Sequence, residues 1–366
     1  MNIPNHYTVD KGELSIETGV KIGEKRDKMG KRNKWIPKCM MAAVCLILMG
    51  ALLALGFLSP NLKALSSGEK MPPLPQTSGG TNAPGPRDGF LLFDEATGKN
   101  LRVSAADYAF YATACEMPAS YEEEALSAQA VAAVTYARYC TAHASDPDTP
   151  ILRVNTASYR GYCTDAGLKK LWGEKEPEYR KKLKRAADRA RGRMIVFDGQ
   201  PILAAYFAVS AGKTEDCALV WGGAMPYLKP VEIGADLGAE NFERVVRRSR
   251  EEMKKRLTGF DPDIHLPGRP EEWFGQPVYS ESRTVLSIPA GDRKLTGQQM
   301  RKIAGLASAS FAVTYEDGVF LFRTHGSGHG VGLSQHGANE LAKAGMTCDE
   351  ILTYFYTGTE IREDLK

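Results

Sequence analysis

Three consecutive carboxylates, Glu122, Glu123 and Glu124, precede an Ala-rich segment that reads ALSAQAVAAVTYARYC. Carboxyl groups are common acids and bases in enzymes that break glycosidic bonds. They are also common in the first turn of a helix, where they complement the helix dipole. Ser120 and Glu123 fit the S-x-x-E pattern of a capping box, which accounts for Glu123. For any single one of the three, the residue types alone favour a structural role over a catalytic one.

Three of the six histidines, His325, His329 and His336, lie in one Gly-rich segment. The glycines between them argue against a helix, and no HExxH pattern accompanies them, so a zinc-protease interpretation is weak. Such a segment suits close backbone approach to a polar ligand, with the histidines and Gln335 as hydrogen-bonding groups. A strained turn with hydrogen-bonded histidines explains the same residues equally well.

A third segment, VSAGKTEDCALVWG, contains Ser210 outside any G-x-S-x-G elbow, so a nucleophilic serine is not indicated. Its Ser–Gly–Thr run predicts a turn whose amides and hydroxyls could hold a polar substrate. Cys140, His143 and Cys163 are of metal-ligand types, but their spacing is unlike that of a zinc site. The cysteines beyond residue 58 are odd in number and form no CxxC pair, which leaves one or two disulfides open.

Helices and hairpins must position these groups. The pattern over 117–140 predicts a helix, and the pattern over 169–193 predicts a charged amphipathic one. Turn residues at 98–99, 198–199 and 317–318 predict hairpins. A capping box at Thr296 and Gln299 and a start near Asp349 predict two further helices. Residues 234–295 show no clear pattern, and the irregular alternation elsewhere predicts an α+β domain over residues 90–366.

Composition and charge exclude one class of partner. The 366-residue chain has a formal net charge of +3, and hydrophobic residues make up 43%, enough for a globular core. Residues 1–38 carry nine Lys or Arg and five Asp or Glu, a net charge of +4, which leaves −1 for the rest by subtraction. A nucleic-acid-binding domain concentrates a large basic excess, so we expect no nucleic-acid partner.

Residues 39–58, CMMAAVCLILMGALLALGFL, carry no charge. A helix of this length spans about 30 Å, the thickness of a bilayer's hydrocarbon core. Lys and Arg are dense before the run and sparse after it, so the positive-inside rule predicts a cytoplasmic N-terminus. The long basic segment before the run favours an uncleaved anchor over a signal peptide. The predicted parts are a cytoplasmic tail (1–38), a transmembrane helix (39–58), a Pro/Gly/Ser-rich stalk (59–89) and an extracytoplasmic domain (90–366).

The segment EALSAQAVAAVTYARYC resembles the E-A-L-K-A-Q-A-V-A-A-R-T-Y block of the stage II sporulation protein D family, which includes the amidase-enhancer proteins. Other blocks follow in the family's order. Residues 205–221 resemble S-x-G-x-T-E followed by W-G, and residues 226–228 match P-Y-L. LTGQQMRKIAGLASASF resembles the L-T-G-x-x-(L/M)-R block, and HGSGHGVGLSQHGANELAKAG resembles G-H-G-x-G-(M/L)-S-Q-x-G-A. The resemblance covers residues 90–362, most of the predicted outer domain.

The resemblance implies a membrane-anchored lytic transglycosylase of the cell wall. Such enzymes cut the bond between N-acetylmuramic acid and N-acetylglucosamine and leave a 1,6-anhydro end. Their substrate is glycan without stem peptides, and they act during forespore engulfment with a cell-wall amidase and a multi-span membrane protein. The family's catalytic Glu opens the E-A-L-K-A-Q-A block, which is Glu124 here. The Glu124 helix is then expected to pack near the Gly-rich segment and form a cleft.

The resemblance also implies supporting residues for the sugar groove, which by position are Ser210, Gly212, Thr214, Tyr227, His329 and Gln335. Two positions depart from the family pattern, because Lys213 stands where Gly or a neutral residue is common and Val134 replaces the usual Arg. The stretch TASYRGYC lacks the His and the paired Cys of a zinc site found in some clostridial members, so we expect no metal and no cofactor. Two alternatives stay open: a non-catalytic, peptidoglycan-binding activator of an amidase, and a zinc-dependent hydrolase that uses the three C-terminal histidines.

Overall fold

The computed structural model describes residues 89–146 and 148–363. The helices in this part of the chain are α1 Ala105–Glu116, α2 Glu123–Ala142, α3 Asp165–Trp172, α4 Glu176–Arg189, α5 Cys217–Trp221, α6 Arg250–Phe260, α7 Gly297–Ala304, α8 Gln335–Lys343 and α9 Cys348–Phe355. Short 3-10 turns cover Gly173–Lys175, Gly234–Gly238 and Pro270–Glu272. The strands are β1 Phe90–Asp94, β2 Lys99–Val103, β3 Leu152–Val154, β4 Arg193–Phe197, β5 Gln200–Pro201, β6 Tyr206–Phe207, β7 Glu243–Ser249, β8 Val278–Tyr279, β9 Val285–Ala290, β10 Arg293–Leu295, β11 Phe311–Glu316, β12 Val319–His325, β13 Leu333–Ser334 and β14 Glu360–Glu363.

These strands form small sheets with the orders β2-β1-β3, β14-β4-β5, β11-β12-β7, β10-β9-β8 and β13-β6. Most of the pairs are antiparallel, whereas β1 with β3 and β6 with β13 are parallel. Helices combined with short, mostly antiparallel sheets make an α+β domain. The fold class expected for the outer domain is therefore confirmed.

Helix α2 lies at the centre of the larger hydrophobic core. Its sequence contains many Ala and no Gly or Pro, which favours a helix. It is buried on nearly every side from Ala125 to Cys140, and α1, α4, α8 and α9 pack around it. Small Ala side chains allow this close approach of neighbouring helices. Val134, where the family usually has Arg, is part of the same core.

The start of α2 corrects two predictions. A helix beginning at 117 and a capping box formed by Ser120 and Glu123 are both wrong. Met117 ends α1 in an extended conformation, with φ −127° and ψ 140°, as is usual for a residue before proline. The chain then turns at Pro118, and Glu122 is the N-cap of α2 without a side-chain cap hydrogen bond. Pro118 therefore lies in the turn between α1 and α2 and not in the first turn of α2.

Much of the segment 234–295, for which the sequence shows no pattern, contributes to a second hydrophobic core. Met253 and Leu257 of α6 pack there with buried residues of β9, α7 and the β11–β12 hairpin. Trp273 stacks on Phe320, with ring centroids 5.3 Å apart. The indole N–H of Trp273 donates to the Pro267 carbonyl at 2.8 Å, which satisfies its polar atom. This segment is thus an ordered part of the domain.

The other local predictions are mostly confirmed. The hairpins at 98–99, 198–199 and 317–318 form as β1–β2, β4–β5 and β11–β12. The capping box of Thr296 and Gln299 is present, and α9 begins at Cys348. The predicted helix over 169–193 is divided, because Gly173 has a φ of 54° and ends α3.

The predicted tail, transmembrane helix and stalk at 1–38, 39–58 and 59–89 lie outside the described residues, apart from Gly89. In the described part of the chain, no helix combines the length and the apolar character that a membrane span requires.

The cysteines of the described part, Cys115, Cys140, Cys163, Cys217 and Cys348, are free and buried. Burial raises the pKa of the Cys140 thiol and of the Cys348 thiol to about 12. The thiolate is the reactive form, so we expect iodoacetamide to modify these two residues at least about 100-fold more slowly in the native protein than in denaturant at about pH 8. Peptide mapping by mass spectrometry measures this. Fast labelling of either residue in the native protein would show that its helix opens.

Candidate active site

Glu124 lies where three helices meet. It is the second residue of α2, and its Oε1 accepts a hydrogen bond from Arg189 Nη1 at 2.5 Å. Its Oε2 accepts hydrogen bonds from Arg189 Nη2 at 3.1 Å and from the Cys348 N–H at 2.8 Å. Arg189 is the last residue of α4, and Cys348 is the first residue of α9. The carboxylate therefore bridges the end of α4 and the start of α9.

Glu124 lies at the start of two helices. It lies in the first turn of α2, and the Cys348 amide is one of the free N–H groups at the start of α9. Hydrogen bonding to Glu124 raises the pKa of Arg189 further above its ordinary value, although burial opposes the shift. The Glu124 side chain is nevertheless 30% exposed, so a substrate in solution can reach it.

The two acidic neighbours have other partners. Glu123 forms an ion pair with Arg185, with Arg185 Nη2 at 2.6 Å from Oε2, and hydrogen bonding to this guanidinium lowers the pKa of Glu123. Glu122 is exposed, and its N–H donates to Asn339 Oδ1 at 2.8 Å. Glu123 is therefore not the capping residue expected from the sequence. The three adjacent carboxylates have three different environments.

The Gly-rich segment runs from the end of β12 to the start of α8 and presses against residues 205–210. A Cβ on Gly332 would lie 2.1 Å from the Ala205 carbonyl oxygen, and a Cβ on Gly326 would lie 2.5 Å from the Val209 carbonyl oxygen. Both glycines also have positive φ, 79° and 71°. Only Gly allows this approach. These two glycines thus allow the Gly-rich segment to pack closely against residues 205–210.

His329 is a neutral histidine within an aromatic pocket. Its ring lies 5.1 Å from that of Trp221 and 5.6 Å from that of Phe207. Its Nδ1 accepts a hydrogen bond from the Val331 N–H at 3.1 Å. Loss of solvent around the ring lowers the pKa of His329 to about 3. His329 therefore carries no charge at neutral pH and does not serve as a general acid there.

The low pKa of His329 predicts how the free energy of unfolding depends on pH. Below pH 6.5 the unfolded chain binds a proton at His329, whereas the folded protein binds it only near a pH of about 3. Stability is therefore lost as the pH falls below 6.5, by at most about 1.4 kcal/mol per pH unit. Replacing His329 with Asn keeps an acceptor for the Val331 N–H and removes the titration. Urea unfolding at several pH values measures this dependence. As the pH falls below 6.5, the free energy of unfolding should decrease less for His329→Asn than for the wild type. An equal decrease in both proteins would contradict the low pKa of His329.

Asp236 is the buried centre of a hydrogen-bond network that sequence reasoning missed. Its side chain has no exposed surface. Its Oδ2 accepts from the Ser210 N–H at 2.8 Å and from Ser334 Oγ at 2.7 Å, and its Oδ1 lies 3.0 Å from His336 Nδ1. The network joins two sequence blocks that lie more than a hundred residues apart. The sequence around it, IGADLG, shows no motif that could have revealed this role.

The predicted sugar-groove residues make contacts within the protein. Ser210 Oγ accepts from the N–H of Gly212, a residue with a φ of 103°. Thr214 is fully buried, and its Oγ1 accepts from the Val231 N–H at 2.8 Å. Tyr227 is buried, and its hydroxyl accepts from the Leu203 N–H at 3.0 Å.

Gln335 connects the Gly-rich block to the Glu124 helix. Its Nε2 donates to Gln129 Oε1 at 3.2 Å, and both side chains are buried. Gln129 lies five residues after Glu124 on α2. The Nε2 of Gln129 has no hydrogen-bond partner among the described residues. Helix α8 therefore packs on the Glu124 helix as expected, while His329 itself lies in the pocket with Trp221.

The three C-terminal histidines have separate partners. His325 Nε2 is 3.4 Å from Glu243 Oε2, His329 Nδ1 accepts from the Val331 N–H, and His336 pairs with Asp236. Within residues 89–146 and 148–363, no three His, Cys, Asp or Glu side chains are grouped as a metal site. The arrangement gives no support to the zinc-hydrolase alternative.

Comparison with known proteins identifies a family. The family model for stage II sporulation protein matches residues 95–197, which include α2 and α4. Stage II sporulation protein D of Bacillus subtilis (strain 168) is 33% identical over 261 residues, 70% of this chain and 74% of that protein. Stage II sporulation protein D of Bacillus amyloliquefaciens is 32% identical over 260 residues, with the same coverage, 70% and 74%.

A more distant relative has a different description. The amidase enhancer of Bacillus subtilis (strain 168) is 26% identical over 299 residues, 67% of this chain and 39% of that protein. The matches to the two sporulation proteins cover about two thirds or more of both chains. The chain belongs to the stage II sporulation protein D family.

Proposed function

We propose that this protein is a lytic transglycosylase that cuts peptide-free glycan strands of peptidoglycan, with Glu124 as its acid and base. The observation that carries the proposal is the position of Glu124, a partly exposed carboxylate held by Arg189 and the Cys348 amide. The match of its segment to the family block supports the same residue. Mass spectrometry of the products from peptide-free glycan tests the proposal through the ends that are formed.

The proposed reaction needs one carboxyl group. In its protonated form, Glu124 gives a proton to the glycosidic oxygen that leaves as the bond to the muramoyl anomeric carbon breaks. The resulting carboxylate then removes the proton of the muramoyl 6-hydroxyl, whose oxygen attacks the anomeric carbon and closes the 1,6-anhydro ring. Because no water is added, the second carboxylate of a hydrolase is not required.

The sugar contacts belong to the proposal as well. We keep Ser210, Gly212, Thr214, Tyr227, His329 and Gln335 as the predicted groove residues. Their hydrogen bonds within the protein favour a role in shaping the groove, and their contact with sugar stays a prediction. Trp221, beside His329, adds an aromatic surface on which a sugar ring can pack.

The cellular setting is likewise proposed. An anchor at 39–58 would hold the domain outside the cytoplasm, where it would act in forespore engulfment with a cell-wall amidase and a multi-span membrane protein. The balance of basic residues around the apolar run supports this orientation.

The alternative function is a non-catalytic activator of a cell-wall amidase. It is supported by the amidase enhancer among the relatives. An activator needs a surface for glycan and amidase, and it does not need an acid at position 124. Glycan that stays intact with the purified protein, together with faster cleavage by an added amidase, would favour this function.

A further inference from the structure

Two ion pairs lie side by side on α2 and α4. Arg185 pairs with Glu123, and Arg189, one helical turn later, pairs with Glu124. The side chains of Arg185 and Arg189 are 52% and 45% exposed, and both glutamates are 30% exposed. The two pairs are thus closely matched in chemistry and exposure. Only the second involves the proposed acid.

The observed pairing opposes the first step of the proposed reaction. Both oxygens of Glu124 accept hydrogen bonds from the Arg189 guanidinium, and Oε2 also accepts one from the Cys348 N–H, so N–H donors already face both oxygens. Glu124 must carry a proton to act as an acid. The guanidinium of Arg189 therefore has to leave Glu124 before the glycosidic bond breaks.

Two other guanidinium groups close to this site have their own carboxylate partners. Glu123 is paired with Arg185, and the Arg193 guanidinium forms a hydrogen bond with Asp349 at the start of α9. Arg189 is therefore the cation whose departure changes the charge at Glu124. An incoming anion that binds Arg189 would remove this cation from Glu124 without leaving the guanidinium unpaired.

Muramic acid supplies such an anion. Its lactyl group ends in a free carboxylate when no stem peptide is attached, and in a neutral amide when a peptide is attached. The lactyl group is on the same sugar ring as the bond that breaks, so a group bound to it lies close to the acid. Arg with a carboxylate forms two parallel hydrogen bonds, a geometry that an amide does not reproduce.

We propose that Arg189 is the positioning residue that selects peptide-free glycan. The lactyl carboxylate of the substrate replaces Glu124 as the partner of Arg189, and Glu124 is thereby released to take up a proton and act as the acid. This inference rests on the proposed function, because it assigns a substrate-selecting role at the same site. In the free protein, Arg189 is paired with Glu124. Binding of a substrate with a free lactyl carboxylate breaks this ion pair.

The test compares two forms of one glycan. Peptide-free strands are used with free lactyl carboxylates, or with the same groups converted to neutral methylamides. For the wild type we expect kcat on the free form to exceed kcat on the amide by at least about tenfold. For Arg189→Gln we expect equal kcat on both forms, and on the amide a kcat above that of the wild type, because Glu124 is no longer paired. Arg189→Lys should keep part of the preference.

Arg185→Gln is the matched control, since it removes the same charge from the neighbouring pair. It should keep the wild-type preference. A wild type that cuts both forms equally, an Arg189→Gln variant that still prefers the free form, or an Arg185→Gln variant that loses the preference would overturn the inference.

A binding measurement separates this inference from the proposed function. Affinities of a fluorescent muramoyl tetrasaccharide in the two forms are measured for the full-length wild type and for Arg189→Gln. We expect the wild type to bind the free form at least about tenfold more tightly and Arg189→Gln to show no preference. If the wild type cuts neither form but shows this binding pattern, the transglycosylase proposal fails while the pairing of Arg189 with the lactyl carboxylate stands. Equal binding of both forms by the wild type would overturn that pairing.

Discussion

Replacing Glu124 with Gln should abolish the formation of 1,6-anhydromuramoyl ends on peptide-free glycan, with a fall of at least about 1000-fold in rate. Gln retains the size and part of the hydrogen bonding of Glu124, but it cannot give or accept the proton that the proposed reaction requires. Because the side chain is partly exposed, the variant should fold as the wild type does. Mass spectrometry of the glycan products measures the loss, and circular dichroism checks the fold.

Glu123→Gln is the matched control for this experiment. It lies next to Glu124 in the first turn of α2 and is paired with Arg185 in the same manner. An exposed ion pair contributes little to stability, about 0 to 1 kcal/mol, so this variant should fold and cut glycan at nearly the wild-type rate.

Three outcomes would contradict the assignment of Glu124. Anhydro ends formed by Glu124→Gln at the wild-type rate would exclude this residue as the acid. Intact glycan with both the wild type and the variant would favour the amidase activator. Reducing ends without the anhydro sugar would indicate a hydrolase, which adds water and usually needs a second carboxylate.

Replacing Asp236 with Ala should lower the free energy of unfolding by about 3 kcal/mol. The Asp236 side chain accepts hydrogen bonds from the Ser210 N–H, from Ser334 Oγ and from His336, and all of its surface is buried. Without it, the buried Ser210 N–H and Ser334 hydroxyl would lose their acceptor, and His336 would lose its carboxylate partner at Nδ1. Because two of the donors belong to blocks that shape the proposed groove, glycan binding should also weaken. Denaturant unfolding measures the change in stability.

Two further variants test whether the loss of stability in Asp236→Ala comes from its buried hydrogen bonds. Asp236→Asn keeps an acceptor oxygen for Ser210 and Ser334, so it should lower the free energy of unfolding less than Asp236→Ala does. Asp263→Ala changes an exposed Asp and should alter stability by less than about 0.5 kcal/mol. If Asp236→Ala unfolds at the same denaturant concentration as Asp263→Ala, the buried network does not hold the two blocks together.

Several local features could be predicted from the sequence because they depend on neighbouring residues. The turns at 98–99, 198–199 and 317–318 and the Thr296 capping box need only a few adjacent side chains. The start of α2 could not be predicted from periodicity alone, since Pro118 ends one helical pattern immediately before the next begins. The segment 234–295 shows no pattern because its residues pack against α7 and the β11–β12 hairpin, which come later in the chain.

The sequence by itself determined the family, the α+β class of the described domain, the Ala-rich helix and Glu124 as the proposed acid. These follow from residue order, since motifs and helix-forming segments are continuous in the chain. Only the tertiary structure decided that Arg189 and the Cys348 amide hold Glu124, that Asp236 joins Ser210 to His336, and that His329 is neutral. These partners lie tens to hundreds of residues apart in the sequence. Burial also changes the charge of a side chain, and the spacing of residues in the sequence does not show which side chains are buried.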